Sequence, residues 1–466
     1  MLAEEQMLMH RVQRIHLIGI AGAGMSGIAE VLSNLGYDVS GSDLLESDIV
    51  RRLRTAGITV SIGHRAENVR DADVVVFSSA ISDSNPELQV ARGRRIPTVP
   101  RAEMLAELMR FRRGIAVAGT HGKTTTTSLL ATVLAEAGLD PTFVVGGMVR
   151  GIESNARLGQ GSYLVAEADE SDASFLLLHP LMTVLTNIDA DHMETYEGDF
   201  SVLRATFIEF LRRLPFYGVA CVCVDDEHAS SILDDIRARV ITYGLSPVAD
   251  VRGSDLRLVD GQEHFRVTLK DTNSVFECVL NLPGEHNVQN ALAAIAVAIE
   301  LGVDPSAIQR ALLSFQGIGR RCQIHDDVSI NGQSVTVVDD YGHHPKELAA
   351  VFATIRRCWP ERRLVVVFQP HRFSRTQALM DDFAAVLSYA DVLILLEVYA
   401  AGETRRPGSD GRALSRAIRT RGRVEPVFVD DVEDVPSVMG ELVHDGDVVA
   451  LLGAGNIGAL AERVVQ

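Results

Sequence analysis

Three times along this chain a run of apolar, largely β-branched residues ends in a glycine-rich turn that opens a helical pattern. The segments are "RIHLIGIAGAGMSGIAE" from Arg14, "IAVAGTHGKTTTT" from Ile115 and "DVVALLGAGNIGAL" from Asp447. A buried strand that runs through a tight turn into a helix is the opening of a β-α-β unit, and its repetition commits a chain to parallel sheets covered by helices. Between these landmarks, strand-like runs such as "ADVVVFSSAI", "YLVAEADESD", "LMTVLTNIDADH", "SVTVVDDYGHHP" and "RLVVVFQPHRFSR" alternate with helical patterns. The strands end in polar turns, where ligands bind in open α/β sheets.

The 466 residues suggest about three domains at roughly 150 residues each. The helical "RAEMLAELMRFRRG", with Gly114 as its expected stop, marks the first boundary, and "FQGIGRRCQ" marks the second. These give domains over 1–112, 113–318 and 319–466. A formal charge of −18 argues against a nucleic-acid partner, because phosphate contacts need clustered Lys and Arg. The five cysteines form no CxxC pair, which fits a reducing cytosol and makes the Cys221-x-Cys223 pair of "VACVCV" a packing feature. The acidic N-terminal stretch is unlike a signal peptide, and no apolar run reaches the 18 or so residues of a membrane helix. A cytoplasmic protein without membrane insertion is expected; its oligomeric state is not legible.

The strongest chemical signal is Gly119-Thr120-His121-Gly122-Lys123-Thr124-Thr125. A glycine turn between a buried strand and a helix aims backbone N–H groups at a phosphate, and the helix dipole adds attraction. Lys123 would reach terminal phosphates and the Thr124 hydroxyl would bind Mg²⁺. Only Lys123, Lys270 and Lys346 are lysines, so a lysine at this place is not generic. The full Walker pattern needs glycine where Val117 stands, so the loop is shortened and an ordinary P-loop GTPase is disfavoured. Downstream, "AEADESD" offers Glu167, Asp169, Glu170 and Asp172 at a strand end, and "TNIDADHMETY" offers Asn187, Asp189, Asp191 and His192. Parallel strands bring such turns to one sheet edge, where a carboxylate suits a metal shared with a triphosphate.

"PGEHNVQNALAA" opens a helix with His286, Asn287 and Asn290, whose side chains could read an adenine edge or simply cap the helix. "GRRCQ" supplies Arg320 and Arg321 at the second junction, where a guanidinium can clamp a phosphate. In the third unit, "VVDDYGHHPKE" and "FQPHRFSRTQ" bring Tyr341, His343, His371, Arg372 and Arg375 to strand ends, and the two arginines are expected on one helix face. Such a set would suit carboxylate and amine groups. The first turn, Gly22-x-Gly24-x-x-Gly27, reads as a dinucleotide fingerprint.

In this order the motifs resemble the Mur ligases over essentially the whole chain, and within that family the alanine-adding member. The resemblance implies an α/β fold of three domains: a Rossmann-like N-terminal UDP-substrate domain, a P-loop-type central ATPase with a mixed sheet, and a Rossmann-like C-terminal domain for the amino acid. It implies an ATP-dependent ligase that joins L-alanine to the carboxylate of UDP-N-acetylmuramate through an acyl phosphate, in peptidoglycan synthesis, with ATP and Mg²⁺. Carried over by motif, Thr124 and Glu167 would hold metal and His192 a second metal. Gly119 to Thr125, His286, Asn287, Asn290, Arg321 and Asp340 would hold nucleotide, and Tyr341, His343, His371, Arg372 and Arg375 would position alanine and the muramoyl carboxylate. Lys123, His192, His343, Arg372 and Arg375 would be catalytic. The first loop, Gly22, Ala23, Gly24, Met25 and Ser26, would then hold the UDP diphosphate, with Asp43, His64, Ser78 and Ser79 bordering the uridine or sugar.

Several Mur ligases carry a carbamylated lysine in the central domain. No lysine lies between Lys123 and Lys270, so an acidic side chain or water is expected there. Three other readings remain: a recycling ligase that attaches a preformed tripeptide, a nicotinamide-dependent dehydrogenase with Asp43 on the adenosine ribose, and a non-catalytic nucleotide-binding regulator. The last two leave "GTHGKTTTT" or the His and Arg turns without a purpose. The C-terminal "GAGNIG" is expected to be structural.

Overall fold

The computed structural model describes residue 9, residues 11–78, 80–149 and 154–465. It is a three-domain α/β protein with three sheets. The first sheet holds β1 (Arg14–Ile18), β2 (Asp38–Asp43), β3 (Thr59–Ile62), β4 (Val74–Phe77) and β5 (Thr98–Pro100), in the order β3-β2-β1-β4-β5. All its pairings are parallel. β1 is buried almost throughout, as expected of a central strand covered on both faces.

The second sheet has ten strands in the order β15-β14-β13-β12-β11-β10-β6-β9-β7-β8. They are β6 (Arg113–Ala118), β7 (Thr142–Val149), β8 (Ser154–Arg157), β9 (Tyr163–Glu167), β10 (Met182–Leu185), β11 (Val219–Cys223), β12 (Arg239–Gly244), β13 (Val251–Val259), β14 (Gln262–Leu269) and β15 (Ser274–Leu280). Its centre is parallel, with β6 flanked by β10 and β9, and β7–β8 is an antiparallel hairpin. Sheet order thus sets the C-terminal ends of β10, β6 and β9 side by side. The third sheet, β16 (Gln323–Ile330), β17 (Gln333–Asp340), β18 (Leu364–Phe368), β19 (Val392–Leu396), β20 (Val427–Val429) and β21 (Val448–Leu452), runs β16-β17-β21-β18-β19-β20 and is parallel except for its β16 edge.

By packing, the chain forms two compact units: Met1–Asp255 with Phe265–Val279 and Gln289–Gln316, and Leu256–His264 with Leu280–Val288 and Gly317–Gln466. One apolar cluster in the first unit runs from Ile15 and Leu17 to Phe207 and Phe210, joining the first sheet to the second. The second unit packs its sheet between two clusters, one around Phe368 and Phe383, the other around Val337 and Leu451.

The first boundary differs from the sequence expectation in detail. The helix ends at Arg110 and β6 already begins at Arg113, so Gly114 lies inside a strand instead of stopping a helix. Its lack of a side chain serves packing, since a Cβ there would stand 2.2 Å from Met109 Cγ. Among the described residues no helix is long and apolar enough to cross a membrane.

Candidate active site

The central loop turns through two glycines at which any side chain would be strained. Gly119 (φ 128°) and Gly122 (φ 82°) both occupy backbone space that side chains avoid. A Cβ on Gly119 would stand 2.1 Å from Thr186 Oγ1, and one on Gly122 would stand 2.4 Å from Asn290 Oδ1. Gly122 is the N-cap of the helix Lys123–Glu136 and supplies no side-chain cap, so the first N–H groups of that helix remain open to an anion. The end of β10 braces the loop: Asn187 Oδ1 accepts from the His121 N–H at 2.8 Å, and Thr186 Oγ1 donates to the His121 carbonyl at 2.7 Å. His121 Nε2 lies 3.1 Å from Asp189 Oδ2.

Lys123 Nζ donates to the carbonyls of Gly119 (2.6 Å) and Thr120 (3.0 Å) and to Glu170 Oε2 (2.7 Å). Burial alone would lower the lysine, but Glu170, Asp169 and Glu167 outweigh it and hold the ammonium charged above its ordinary value. Burial lifts the Glu170 carboxyl to about 7 against the opposing pull of Lys123. Glu167 closes β9 directly opposite Val117 in the parallel register, at the root of the loop, and its Oε1 accepts from the Gly146 N–H at 2.7 Å. His192 (φ 54°) follows β10, with Nε2 3.6 Å from Asp191 Oδ2. Lys123, Thr124, Glu167 and His192 therefore share one edge of the second sheet. Thr124 and Thr125 are buried in the first helical turn.

Asn290 comes to this same loop: besides lying over Gly122, its Oδ1 accepts from Thr126 Oγ1 at 3.2 Å. Asn287 instead donates to the Pro283 carbonyl at 2.7 Å, a local brace of its own turn. Burial pushes the His286 imidazole down to about 4, so it is neutral.

The first glycine loop is also the start of a helix, Ala23–Asn34, whose N-cap Gly22 supplies no side chain. The side chains around it make these contacts within the protein. Asp43 Oδ2 accepts from the Ala21 N–H (2.9 Å) and so braces the loop, while its Oδ1 accepts from the adjacent Leu44 N–H (2.8 Å). Ser26 is fully buried; its N–H donates to the Gly22 carbonyl at 2.8 Å and its hydroxyl accepts from Asn155 Nδ2 of the central domain at 3.0 Å. Met25 is core. Gly24 backs onto a residue the sequence reading left out, Arg101: a Cβ there would stand 2.9 Å from its Nη1. Arg101 also reaches Asp169 Oδ2 at 3.5 Å, spanning from the N-terminal domain to the acidic turn of the central one. Ser78 is described, with its hydroxyl accepting from Ala80 at 3.4 Å, whereas Ser79 lies outside the described residues, and of Ala23 only the backbone is described.

His64 follows β3, its Nδ1 2.9 Å from Ser42 Oγ and 3.8 Å from Glu87 Oε1. In the sequence Glu87 is inconspicuous, because an acidic residue after Asn-Pro reads as an ordinary first-turn helix acid. In the fold it is 0% exposed and is the hub of a polar network with His16, Ser42, Asn68 and the Arg65 N–H.

In the second unit, Asp340 ends β17 and accepts from the Gly342 (2.6 Å) and Cys322 (2.7 Å) N–H groups. Burial raises its carboxyl and the Arg321 charge opposes this. The guanidinium carbons of Arg320 and Arg321 stand 5.4 and 5.1 Å from the Tyr341 ring centre. A row of rings continues from there: Tyr341 to His343 at 5.4 Å, His343 to His371 at 5.7 Å and His371 to Tyr399 at 5.5 Å. Tyr399 was missed by the sequence reading, since "EVYAAG" carries no spacing signal. Burial, then His343, Arg375 and Arg372, push His371 down to about 3.

The two arginines do not share a helix face. Arg372 (φ 71°) is the N-cap, and only Arg375 lies within the helix Phe373–Ala378. The positive φ turns Arg372 out of the helical spacing, and its buried Nε has no hydrogen-bond partner among the described residues. A buried guanidinium N–H without a partner is costly unless a ligand supplies one. Arg375 is buried and its Nη1 stands 3.5 Å from His371 Nδ1.

Three family models match in succession: the Mur ligase family catalytic domain over 14–113, the middle domain over 117–298 and the glutamate ligase domain over 320–455. A UDP-N-acetylmuramate–L-alanine ligase of Halorhodospira halophila is 58% identical over 454 residues, 97% of this chain and 93% of that protein. One of Paraburkholderia xenovorans is 57% identical over 463 residues, covering 98% and 99% of the two chains. Among solved structures, the UDP-N-acetylmuramate-alanine ligase of Thermotoga maritima has TM-score 0.82 at 31% identity, covering 97% of this chain and 98% of its own. A murein peptide ligase of Psychrobacter arcticus shares the fold, with TM-score 0.72 at 24% identity over 97% and 98% of the two chains.

Proposed function

The chain belongs to the Mur ligase family, and from that premise we infer that it is the ATP-dependent ligase that joins L-alanine to UDP-N-acetylmuramate in peptidoglycan precursor synthesis. The observation that carries the chemistry is Lys123 at an uncapped helix N-terminus, beside three carboxylates on one sheet edge. We assign residues 1–112 to UDP-substrate binding, 113–318 to ATP and 319–466 to the amino acid. ATP and a nucleotide sugar as co-substrates suit the bacterial cytoplasm.

A carboxylate resists attack by an amine, so activation must come first. The γ-phosphoryl group of ATP passes to the muramoyl carboxylate, giving an acyl phosphate and ADP. The alanine amine then adds to the acyl carbon, a tetrahedral intermediate forms, and phosphate leaves as the amide closes. Lys123 counters charge on the transferring phosphoryl group. The open N–H groups at Lys123, Thr124 and Thr125 cradle the polyphosphate, and Asn290 keeps Gly122 in place. Arg372, with its unpartnered Nε, and Arg375 are assigned to carboxylate groups. His371 stays neutral and positions, while His343 is assigned to take the proton released as the amide forms.

Oxygen donors at Thr124 and Glu167, with His192 for a second ion, suit hard divalent cations, and these are the residues assigned to hold magnesium. When bound, such ions would neutralise charge across the phosphates.

The test is a pair of reactions with Mg-ATP and UDP-N-acetylmuramate, one given L-alanine and the other L-Ala-γ-D-Glu-meso-diaminopimelate, followed by phosphate release and amide product. Turnover with alanine is expected. Turnover confined to the tripeptide would replace this reading with the recycling ligase.

A further inference from the structure

Hydrogen counting in the N-terminal domain fixes a property of His64 that no spacing reveals. Glu87 is fully buried, and its four acceptor contacts hold it ionised in spite of burial: Ser42 Oγ at 2.6 Å and His16 Nε2 at 3.2 Å on one oxygen, Asn68 Nδ2 at 2.5 Å and the Arg65 N–H at 3.0 Å on the other. A carboxylate only accepts, so the single Ser42 proton is spent on Glu87. The 2.9 Å contact between Ser42 Oγ and His64 Nδ1 must then be donated by the histidine. In the neutral ring this leaves Nε2 without a proton, as an acceptor. No described residue donates to that nitrogen, and it is not among the buried unsatisfied atoms.

His64 stands at the C-terminal edge of β3, beside the end of β2, where the Gly63 N–H donates to the Asp43 carbonyl at 2.7 Å. Asp43 in turn holds Ala21 of the glycine loop. In a doubly wound sheet a nucleotide whose phosphates sit on the first loop lays its nucleoside across this edge.

We propose that Glu87, acting through Ser42, locks His64 as the Nδ1–H tautomer, so that Nε2 accepts a hydrogen bond from the nucleoside half of the substrate, the uracil N3–H or a ribose hydroxyl. This rests on the reading of the first loop as the UDP site. Glu87 and Ser42 are positioning residues, and His64 is the group that touches ligand.

The relay can be reversed by one isosteric change. The Arg65 N–H is backbone and always needs an acceptor, so in Glu87→Gln the amide carbonyl stays on that side and the amide NH₂ faces Ser42. Ser42 then accepts from Gln and donates to His64 Nδ1, and the proton moves to Nε2. The experiment uses the full-length enzyme at pH 8 with ¹⁵N-labelled histidine, His64 being identified by its loss in His64→Gln. Long-range ¹H–¹⁵N spectra report the tautomer, and titrations with UDP, CDP and 2′-deoxy-UDP report affinity.

The expected result is an Nδ1–H tautomer in the parent and Nε2–H in Glu87→Gln. UDP affinity should fall about tenfold in that variant, the size expected for one buried hydrogen bond, with KM for ATP unchanged. In the parent, weak CDP binding identifies the uracil N3–H as donor and weak 2′-deoxy-UDP binding identifies the ribose hydroxyl; either preference should vanish in His64→Phe. Should Glu87→Gln not fold, Ser42→Ala removes only the relay and should loosen the tautomer and the same preference.

A parent Nε2–H tautomer, or a base and sugar preference that survives His64→Phe, overturns the proposal. If UDP leaves the His64 signals unmoved while the enzyme turns over, it is the siting of UDP that fails instead.

Discussion

Two turns in the first compact unit begin alike, each a buried strand passing through glycines into a helix whose N-cap has no side chain. They are held in opposite ways. The central loop turns its cation back onto itself: Lys123 donates to the Gly119 and Thr120 carbonyls and to Glu170, and the end of β10 holds the loop through Asn187. The N-terminal loop sends its polar side chain away: Ser26 plugs into the central domain at Asn155, and Asp43 binds loop backbone. The central turn holds a cation fixed by three hydrogen bonds, and the N-terminal one presents backbone alone. A shared glycine pattern therefore reports close backbone approach to an anion, and the side chains around it decide whether chemistry or only binding follows.

The sharpest way to break this contrast is Lys123→Ala. Turnover should fall by at least about a thousandfold, as for loss of a charge that acts in the transition state, while calorimetric affinity for UDP-N-acetylmuramate stays within about threefold. Loss of both would mean that the two loops serve one ligand. Next in size is a matched pair of glycine substitutions. Gly122→Ala meets Asn290 Oδ1 at 2.4 Å with φ at 82°, so both backbone and neighbour must yield. Gly24→Ala meets only the Arg101 side chain, Nη1 at 2.9 Å and Cδ at 3.3 Å, and that long side chain can swing aside. The expected penalties are about a hundredfold in kcat/KM for ATP in the first case and under about tenfold in KM for UDP-N-acetylmuramate in the second, given strain costs of about 1–3 kcal/mol. Equal penalties would show that the backbone cradle fits its ligand as closely as the phosphate loop does. Smaller again is Asp43→Ala, which frees the Ala21 and Leu44 N–H groups. It should raise KM for UDP-N-acetylmuramate about tenfold, the size expected for about 1–2 kcal/mol of lost hydrogen bonding, and leave ATP kinetics alone.

The sheets and the central loop were legible because they rest on local signals: apolar strand runs, glycines, and a lysine in a chain that has three. What escaped was decided by pairings distant in sequence. Arg101 meets Asp169 across 68 positions and His16 meets Glu87 across 71, and no periodicity announces either. Arg372 and Arg375 were misread for a different reason, as the i, i+3 spacing assumes helical backbone and Arg372 at φ 71° is outside the helix. Gly114 likewise follows basic residues as a helix stop would, but in the fold it is a packing glycine inside β6.

Ser26 gives the smallest and most discriminating test. The sequence reading puts its hydroxyl beside the diphosphate, whereas in the fold it is fully buried and accepts from Asn155, whose Oδ1 in turn accepts from Arg52 at 2.7 Å. Those contacts tie the helix Ala23–Asn34 to the β7–β8 hairpin, and Gly27 packs there too, its absent Cβ 3.0 Å from Ala156. A hydroxyl used this way supports the junction between the N-terminal and central domains. Ser26→Ala should therefore cost about 1 kcal/mol of stability, read as a drop of a few degrees in melting temperature, with KM for UDP-N-acetylmuramate unchanged within twofold. A KM raised about tenfold with the melting temperature unmoved would put the hydroxyl back on the substrate, and would make the N-terminal turn more like the central one than its contacts imply.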